Sequence, residues 1–279
     1  MTIAPTHIRK VRAWRDRRGF TLVELLIALF LTGVVTTFIL NTFIVQHKQM
    51  VVQDQIVDAQ QNGRAAIDEL TRQIRMAGYN LPLGLPPIFA YNTNPDTIVI
   101  NYNTEECNAT VTDPMPQPSA EIKATGQDLS CFYDGQWVYI FDPDSGGGEW
   151  FEVTQVQQAA GHLQHNTMQL SRTYGPGAIL ISLNSMKYYV DRADTAHPKL
   201  MLKINNKAAV VYAEGVEDLQ FTYTMKNGDV KNTPPLAVDT REVKISLTAR
   251  TRERDQDFLG NPYRLRQYVS SVNLRNLDI

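Results

Sequence analysis

The stretch Arg17-Arg18-Gly19-Phe20-Thr21-Leu22-Val23-Glu24 sets the reading of the whole chain. Two arginines and a glycine lead into a phenylalanine, and the apolar run it opens is interrupted by a single acid. Residues 25–46 carry no charged side chain, so Glu24 stands alone near the start of a segment long enough to cross a bilayer, which takes about 20 apolar residues. An ionisable group in such a place is costly and by default functional. A secretory signal peptide has an apolar region of about 7–15 residues with a small-residue cleavage site after it. The run over residues 20–45 is longer, and no such site follows. An ordinary signal anchor accounts for the length and the basic flank, but not for Glu24 or for a glycine set directly before the run.

Charge gives the anchor a direction. Before Gly19 stand Arg9, Lys10, Arg12, Arg15, Arg17 and Arg18 against Asp16, a local excess of five positive charges. With a formal net charge of −2 for the chain, the remainder is left at −7. A basic flank stays in the cytoplasm, so everything after the span lies across the membrane, in the periplasm of a two-membrane bacterium. Nothing after Val45 reads as a second span.

Beyond the span the apolar pattern narrows to a stripe. Val52, Ile56, Ala59, Gly63, Ala66, Leu70, Ile74 and Ala77 recur every three or four residues, one face of an amphipathic helix. No proline interrupts residues 20–79, while Gly78, Asn80 and Pro82 form a stop signal. From Pro82 onward, short β-branched and aromatic runs dominate, among them residues 97–102, 137–141, 150–156, 186–190, 200–204, 219–224, 243–250 and 266–274. Asp134-Gly135, Asp144-Ser145-Gly146, Asn205-Asn206 and Asn227-Gly228 mark turns between several of them. The polar, proline-bearing residues 103–127 read as one long loop. The fold class is therefore α+β, with one long N-terminal helix, transmembrane over about residues 20–45 and amphipathic after that, packed on a β-rich head over residues 79–279.

Cys107 and Cys131 are the only cysteines, and both fall in the exported part. In an oxidising compartment such a pair reads as a disulfide, worth about 3 kcal/mol for a loop of this size. Two buried free thiols are the alternative. A metal site is disfavoured, because no CxxC or histidine pair accompanies them.

The residues RRGFTLVELLIAL resemble the type III signal of type IV prepilins and type II secretion pseudopilins. That resemblance implies a cytoplasmic leader, residues 1–19, which a prepilin peptidase removes after Gly19 before methylating Phe20. It implies that Glu24 guides assembly by pairing with the methylated amine of a neighbouring subunit. Residues 66–70 and 72–79 resemble the helix end of PilW-type minor pilins. Residues 214–221 and 272–276 are similar to that group and to J-type pseudopilins, whereas about 82–197 match nothing in either. A major pilin head is usually smaller, and major pilins often carry a proline mid-helix, where this chain has Asn41.

The resemblance thus implies a minor pilin that primes a type IV pilus near its tip. Since Glu24 is present, it would not be the topmost subunit. The expected partners are prepilin peptidase, other minor and major pilins, the inner-membrane assembly platform, a tip adhesin, and membrane lipid before assembly. A type II secretion pseudopilin is the alternative; a DNA-binding competence pilin and a membrane-anchored periplasmic enzyme are more distant.

Other groupings are weaker. Residues 142–149 have the carboxylates and glycines of a calcium loop without the full EF-hand pattern, and read better as a hairpin turn. His162 and His165 read as surface histidines. Arg250, Arg252 and Arg254 share one strand face, with Arg264 and Arg266 nearby, but interleaved acids make a solvated face the better reading than a phosphate site, so nucleic acid is not expected as a partner. No nucleophile elbow, HExxH, P-loop or dinucleotide fingerprint occurs, so neither catalysis nor a cofactor or metal is expected.

Overall fold

The computed structural model describes residues 19–233, 239–255, 258 and 262–276. It is α+β: an uninterrupted helix α1 (Leu22–Met76), then antiparallel sheets. The chain divides between Val52 and Gln53 into two compact units. In the first, every described residue up to Val51 is exposed, and the helix has an 18-residue window of mean hydropathy 2.3. Three threonines in it, Thr32, Thr37 and Thr42, donate their hydroxyls to the carbonyls of Ala28, Gly33 and Phe38 at 2.7, 2.8 and 2.9 Å. Inside lipid such hydroxyls need a partner, and the preceding turn supplies it. Asn41 sits in the unbroken helix where a proline would have kinked it.

In the second unit one face of α1 is buried through Gly63, Ala66, Ile67, Leu70 and Ile74. Gly63 is there for contact: a Cβ on it would lie 2.4 Å from Tyr268 Cε2 and 3.1 Å from Ala249 Cβ. The helix stops at Gly78, which takes the left-handed conformation at φ 82° and donates its N–H to the Asn101 carbonyl at 3.0 Å.

Two sheets share the core that α1 covers. Numbered in chain order, the five-stranded sheet runs β1 (Ile88–Tyr91), β2 (Thr97–Tyr102), β10 (Asn184–Asp191), β11 (Lys199–Ile204), β12 (Val210–Glu214). The four-stranded one runs β14 (Val230–Lys231), β13 (Val216–Met225), β15 (Thr240–Arg250), β16 (Leu265–Asn273). Ile98, Ile100, Tyr188, Leu219, Phe221, Ile245 and Leu247 meet Leu70 and Ile74 in this core.

Between β2 and β10, which are antiparallel neighbours with Tyr102 opposite Asn184, residues 103–183 form a second lobe. It has its own core of Val138, Ile140, Phe151, Leu163 and Leu180. One of its sheets runs β3 (Asn108–Thr110), β9 (Ile179–Ile181), β5 (Trp137–Asp142), β6 (Gly147–Glu152); the other runs β4 (Ile122–Lys123), β8 (His162–Gln164), β7 (Gln155–Gln157). Two expectations change here. The supposed loop 103–127 contains β3 and β4 and buries Cys107, Ala109, Val111, Met115 and Ile122, because its short apolar residues pair with strands far along the chain. The supposed strand 150–156 breaks at Val153 and Thr154. Val153 bonds to Gln136, whereas the Thr154 amide turns to Gln164 at 2.8 Å, carrying the chain from one sheet to the next.

Candidate functional site

The residues singled out at the N-terminus lie at the entrance to α1. Gly19 and Phe20 precede the helix; nothing lies within 4 Å of the place a Gly19 Cβ would take, and Phe20 is 92% exposed. Of the expected leader, residues 1–19, all but Gly19 lie outside the described residues. Thr21 caps the helix. Its N–H and hydroxyl both donate to Glu24 Oε2, at 2.9 and 3.0 Å, and its hydroxyl oxygen accepts from the Glu24 N–H at 3.2 Å. This is a capping box, in which cap and third residue satisfy each other's free groups. Glu24 is thus held by its own chain through a neighbour that the sequence reading passed over, although the spacing Thr-x-x-Glu was there to see. From Leu22 to Val45 the apolar side chains around that carboxylate stand exposed.

In the head, Cys107 and Cys131 form a disulfide with Cα atoms 5.7 Å apart, which ties the start of β3 to the turn after Leu129. Residues 142–149 form the β5–β6 hairpin. The Asp142 carboxyl is held below its usual range by hydrogen bonds from the Ser145 side chain and the Asp144 amide, so it serves its own turn. Glu149 accepts from the Ser171 amide and hydroxyl and from Tyr174 Oη, at 2.8, 2.7 and 3.1 Å. Burial, ahead of that contact, pushes the Tyr174 phenol up to about 12. Among the described residues no three His, Cys, Asp or Glu side chains gather as metal ligands.

Two surface assignments are corrected. His165 is buried, its ring nitrogens facing the carbonyl oxygens of Ala120 and Met168 at 2.7 and 2.9 Å, because the turns that carry those carbonyls close over it. The arginine stripe is not one strand face, since β15 ends at Arg250, where its N–H turns to the Gly215 carbonyl. Arg250 is buried, pairs with Glu217 at 2.8 Å, donates to the Thr195 and Ala196 carbonyls and lies 4.0 Å from the centre of the Tyr263 ring. Arg264 pairs with Asp255 at 2.7 Å. Arg250 and Arg264 are thus paired within the chain.

Two buried acids were not anticipated. Glu69 accepts from Tyr188 Oη at 3.1 Å, Gln73 Nε2 at 2.9 Å and Arg72, which bonds α1 to the five-stranded sheet. Asp96 bonds the Phe221 amide at 2.8 Å. A cleft of about 360 Å³ beside α1 is lined by Asp58, His197, Lys199, Glu214 and Arg252, charges of both signs with no one ligand chemistry.

A search of the curated proteins finds no match to this chain. Residues 14–40 match the family model described as the prokaryotic N-terminal methylation motif, a span that takes in Gly19, Phe20 and Glu24. Such a motif implies processing by prepilin peptidase and association with other pilins. Together with one exposed apolar helix and a β-rich head, it supports a membrane-anchored, pilin-like or pseudopilin subunit.

Proposed function

We propose that the chain is a minor pilin of a type IV pilus. It is made as a single-pass inner-membrane prepilin with its leader in the cytoplasm and its head in the periplasm. Peptidase cuts after Gly19 and the new Phe20 amine is methylated. The subunit then enters the fibre near the tip, below the topmost position, and helps to prime assembly with other minor pilins. Its work is done by surfaces and not by bond chemistry.

The observation that carries this reading is a lone carboxylate, Glu24, at the head of an exposed apolar helix directly after Gly19-Phe20. In lipid such a group needs a partner or a proton. The capping box supplies the partner before assembly. On assembly the methylated amine of a neighbour, an opposite charge in a dry fibre core, offers a stronger one.

The test is the mass and N-terminal sequence of the protein made with and without active prepilin peptidase. The expected product begins at methylated Phe20 and disappears without the peptidase. A chain beginning at Met1 in both strains would overturn the reading. Deletion of the gene should then abolish pili; loss of protein secretion with pili intact would assign the subunit to a type II secretion pseudopilus instead.

A further inference from the structure

An antiparallel sheet with one face on the core and the other in water alternates apolar-in with polar-out. The sheet built on β13 and β15 does so at its centre, with the exposed valines Val230 and Val269 confined to its two edge strands. Its outward positions include Gln220, Thr222 and Thr224 on β13, facing Ser246, Lys244 and Glu242 on β15. The five-stranded sheet does not. Its inward positions Ile98, Ile100, Tyr188 and Leu200 lie in the helix-backed core, so the alternate residues point outward. Cross-strand register lays them in rows. One row is Phe89, Val99, Lys187, Lys203, and the next sets Tyr189, Met201 and Val211 side by side. Phe89 and Val211 are 39% and 47% exposed. Val99, Tyr189 and Met201 between them are half-buried, and an apolar band partly open on a sheet face is suited to be an interaction surface.

The charges indicate what the surface receives. In a third row Lys199 stands directly opposite two acids of its own chain, Asp191 and Glu214. Lys187 and Lys203 face each other instead, a like-charge pair that lowers stability. Among the described residues neither has an ion pair. Carboxylates brought by a partner would relieve that repulsion.

A nucleic acid would require open ring faces for its bases. Phe89 and Tyr91 do present rings on this face, but the Lys187 ammonium lies 5.5 Å from the Tyr189 ring centre, Met201 and Val211 offer no ring, and the chain after Gly19 is net negative, which repels phosphates. An apolar centre of Tyr189, Met201 and Val211 with cations at its border fits a folded protein surface. Five strands about 4.8 Å apart and three rows roughly 7 Å apart give a face on the order of 400 Å². That is about half of one partner's share of a standard interface, the size of one contact among several within an assembly.

We propose that the outer face of the five-stranded sheet docks a different protein subunit through Tyr189, Met201 and Val211, with carboxylates of that subunit received by Lys187 and Lys203. The pilin-like reading enters only in naming that subunit a fellow member of the fibre.

The test places the photoreactive residue p-benzoylphenylalanine at Met201 of the full chain in cells that build the assembly, with the same residue at Thr222 on the polar sheet as reference. Mass spectrometry should identify one partner protein, joined through a peptide containing Asp or Glu, at a yield well above that from Thr222. Changing both lysines, K187E with K203E, should lower the yield about tenfold or more, and reversing the partner's acid to lysine should restore it. K187E alone sets an acid opposite Lys203; it should weaken the crosslink while leaving the thermal midpoint unchanged or higher, which separates lost docking from lost folding. A nuclease-sensitive adduct, a lipid adduct, an adduct to another copy of this chain, equal yield from Thr222, or indifference to the lysines would each overturn the proposal. The N-terminus read from the same samples keeps the two readings apart. An unprocessed Met1 chain sinks the pilin-like reading alone, whereas a processed chain with no crosslink at Met201 sinks this proposal alone.

Discussion

Asp96 shows how one carboxyl can couple the head's stability to pH. It is 3% exposed; Oδ2 accepts from the Phe221 amide, Oδ1 has no hydrogen-bond partner among the described residues, and its own N–H donates to the Leu219 carbonyl at 2.8 Å. Removal from water, above all, raises its pKa; the Phe221 and Thr93 amides pull the other way, and the nearby Asp218 charge adds to the rise. A carboxyl whose pKa is raised on folding holds its proton more tightly in the folded chain. Its contribution to stability is therefore fully present below the ordinary carboxylate range and is lost as pH rises through the raised pKa. Asp96→Asn removes that dependence. In thermal melts across pH, the gap between variant and wild type should widen in the variant's favour as pH rises; a gap that stays constant would show that Asp96 does not titrate in this way. Gly63 is a second residue with a definite cost. Alanine there gains about 1 kcal/mol of helix propensity but must displace the Tyr268 ring, and overpacking costs about 1–3 kcal/mol. Gly63→Leu should destabilise well beyond that, and a Tyr268→Ala background should absorb much of the loss, as a double-mutant cycle would measure.

Between elements, the bond from α1 to the five-stranded sheet runs through Glu69. Its Arg72 partner is 71% exposed, so that ion pair is screened and adds little. The bonds from Tyr188 and Gln73 matter more, because cutting them leaves buried groups without partners. Glu69→Ala should cost about 2–3 kcal/mol, and Glu69→Gln clearly less, by denaturant unfolding. In the inserted lobe, replacing both Cys107 and Cys131 by serine should cost about 3 kcal/mol, a drop of roughly 10 °C in melting temperature. How legible each element was in the sequence follows from how local its cause is. The long helix could be read because its apolar run and its stripe are periodic along the chain. The strands β2, β5, β11, β13, β15 and β16 could be read because each is a run of β-branched and aromatic residues. By contrast β3, β4, β7, β8 and β9 are two or three residues long and exist through partners such as Asn108 with Ile181 and Ile122 with Leu163. Gly19, Phe20 and Glu24 stood out because the motif is contiguous. Glu69, sitting beside an otherwise apolar stripe, and His165, closed in by two turns, depended on contacts that no short window contains.

At the scale of the whole molecule, the compact unit from Gln53 onward carries two separate cores, one backed by α1 and one in the lobe of residues 103–183. Among the described residues, the core over α1 takes none of its buried side chains from 103–183, and the lobe's own core takes none from outside them. The two meet in a small cluster in which Leu85 packs with Phe141, Ile181 and Leu183, and through bonds such as the Asn103 amide to the Tyr79 carbonyl at 2.9 Å. Because Tyr102 and Asn184 are already antiparallel partners, the insertion occupies the place of a hairpin turn. Replacing residues 103–183 by Asn-Gly, the pair that favours a two-residue hairpin, should leave a folded chain. The cost should be that of exposing Leu81 and Leu85, about 1.5–3 kcal/mol for each side chain fully uncovered. Circular dichroism should retain the helix and a cooperative melt, and amide exchange should still protect β13 and β15. The shortened chain should also still be processed to Phe20, since the motif and the span that carries it are untouched. A melt without cooperativity, or loss of protection in β13 and β15, would mean instead that the inserted lobe is required to hold the helix-backed core together, and that the head folds as one unit in spite of its two cores.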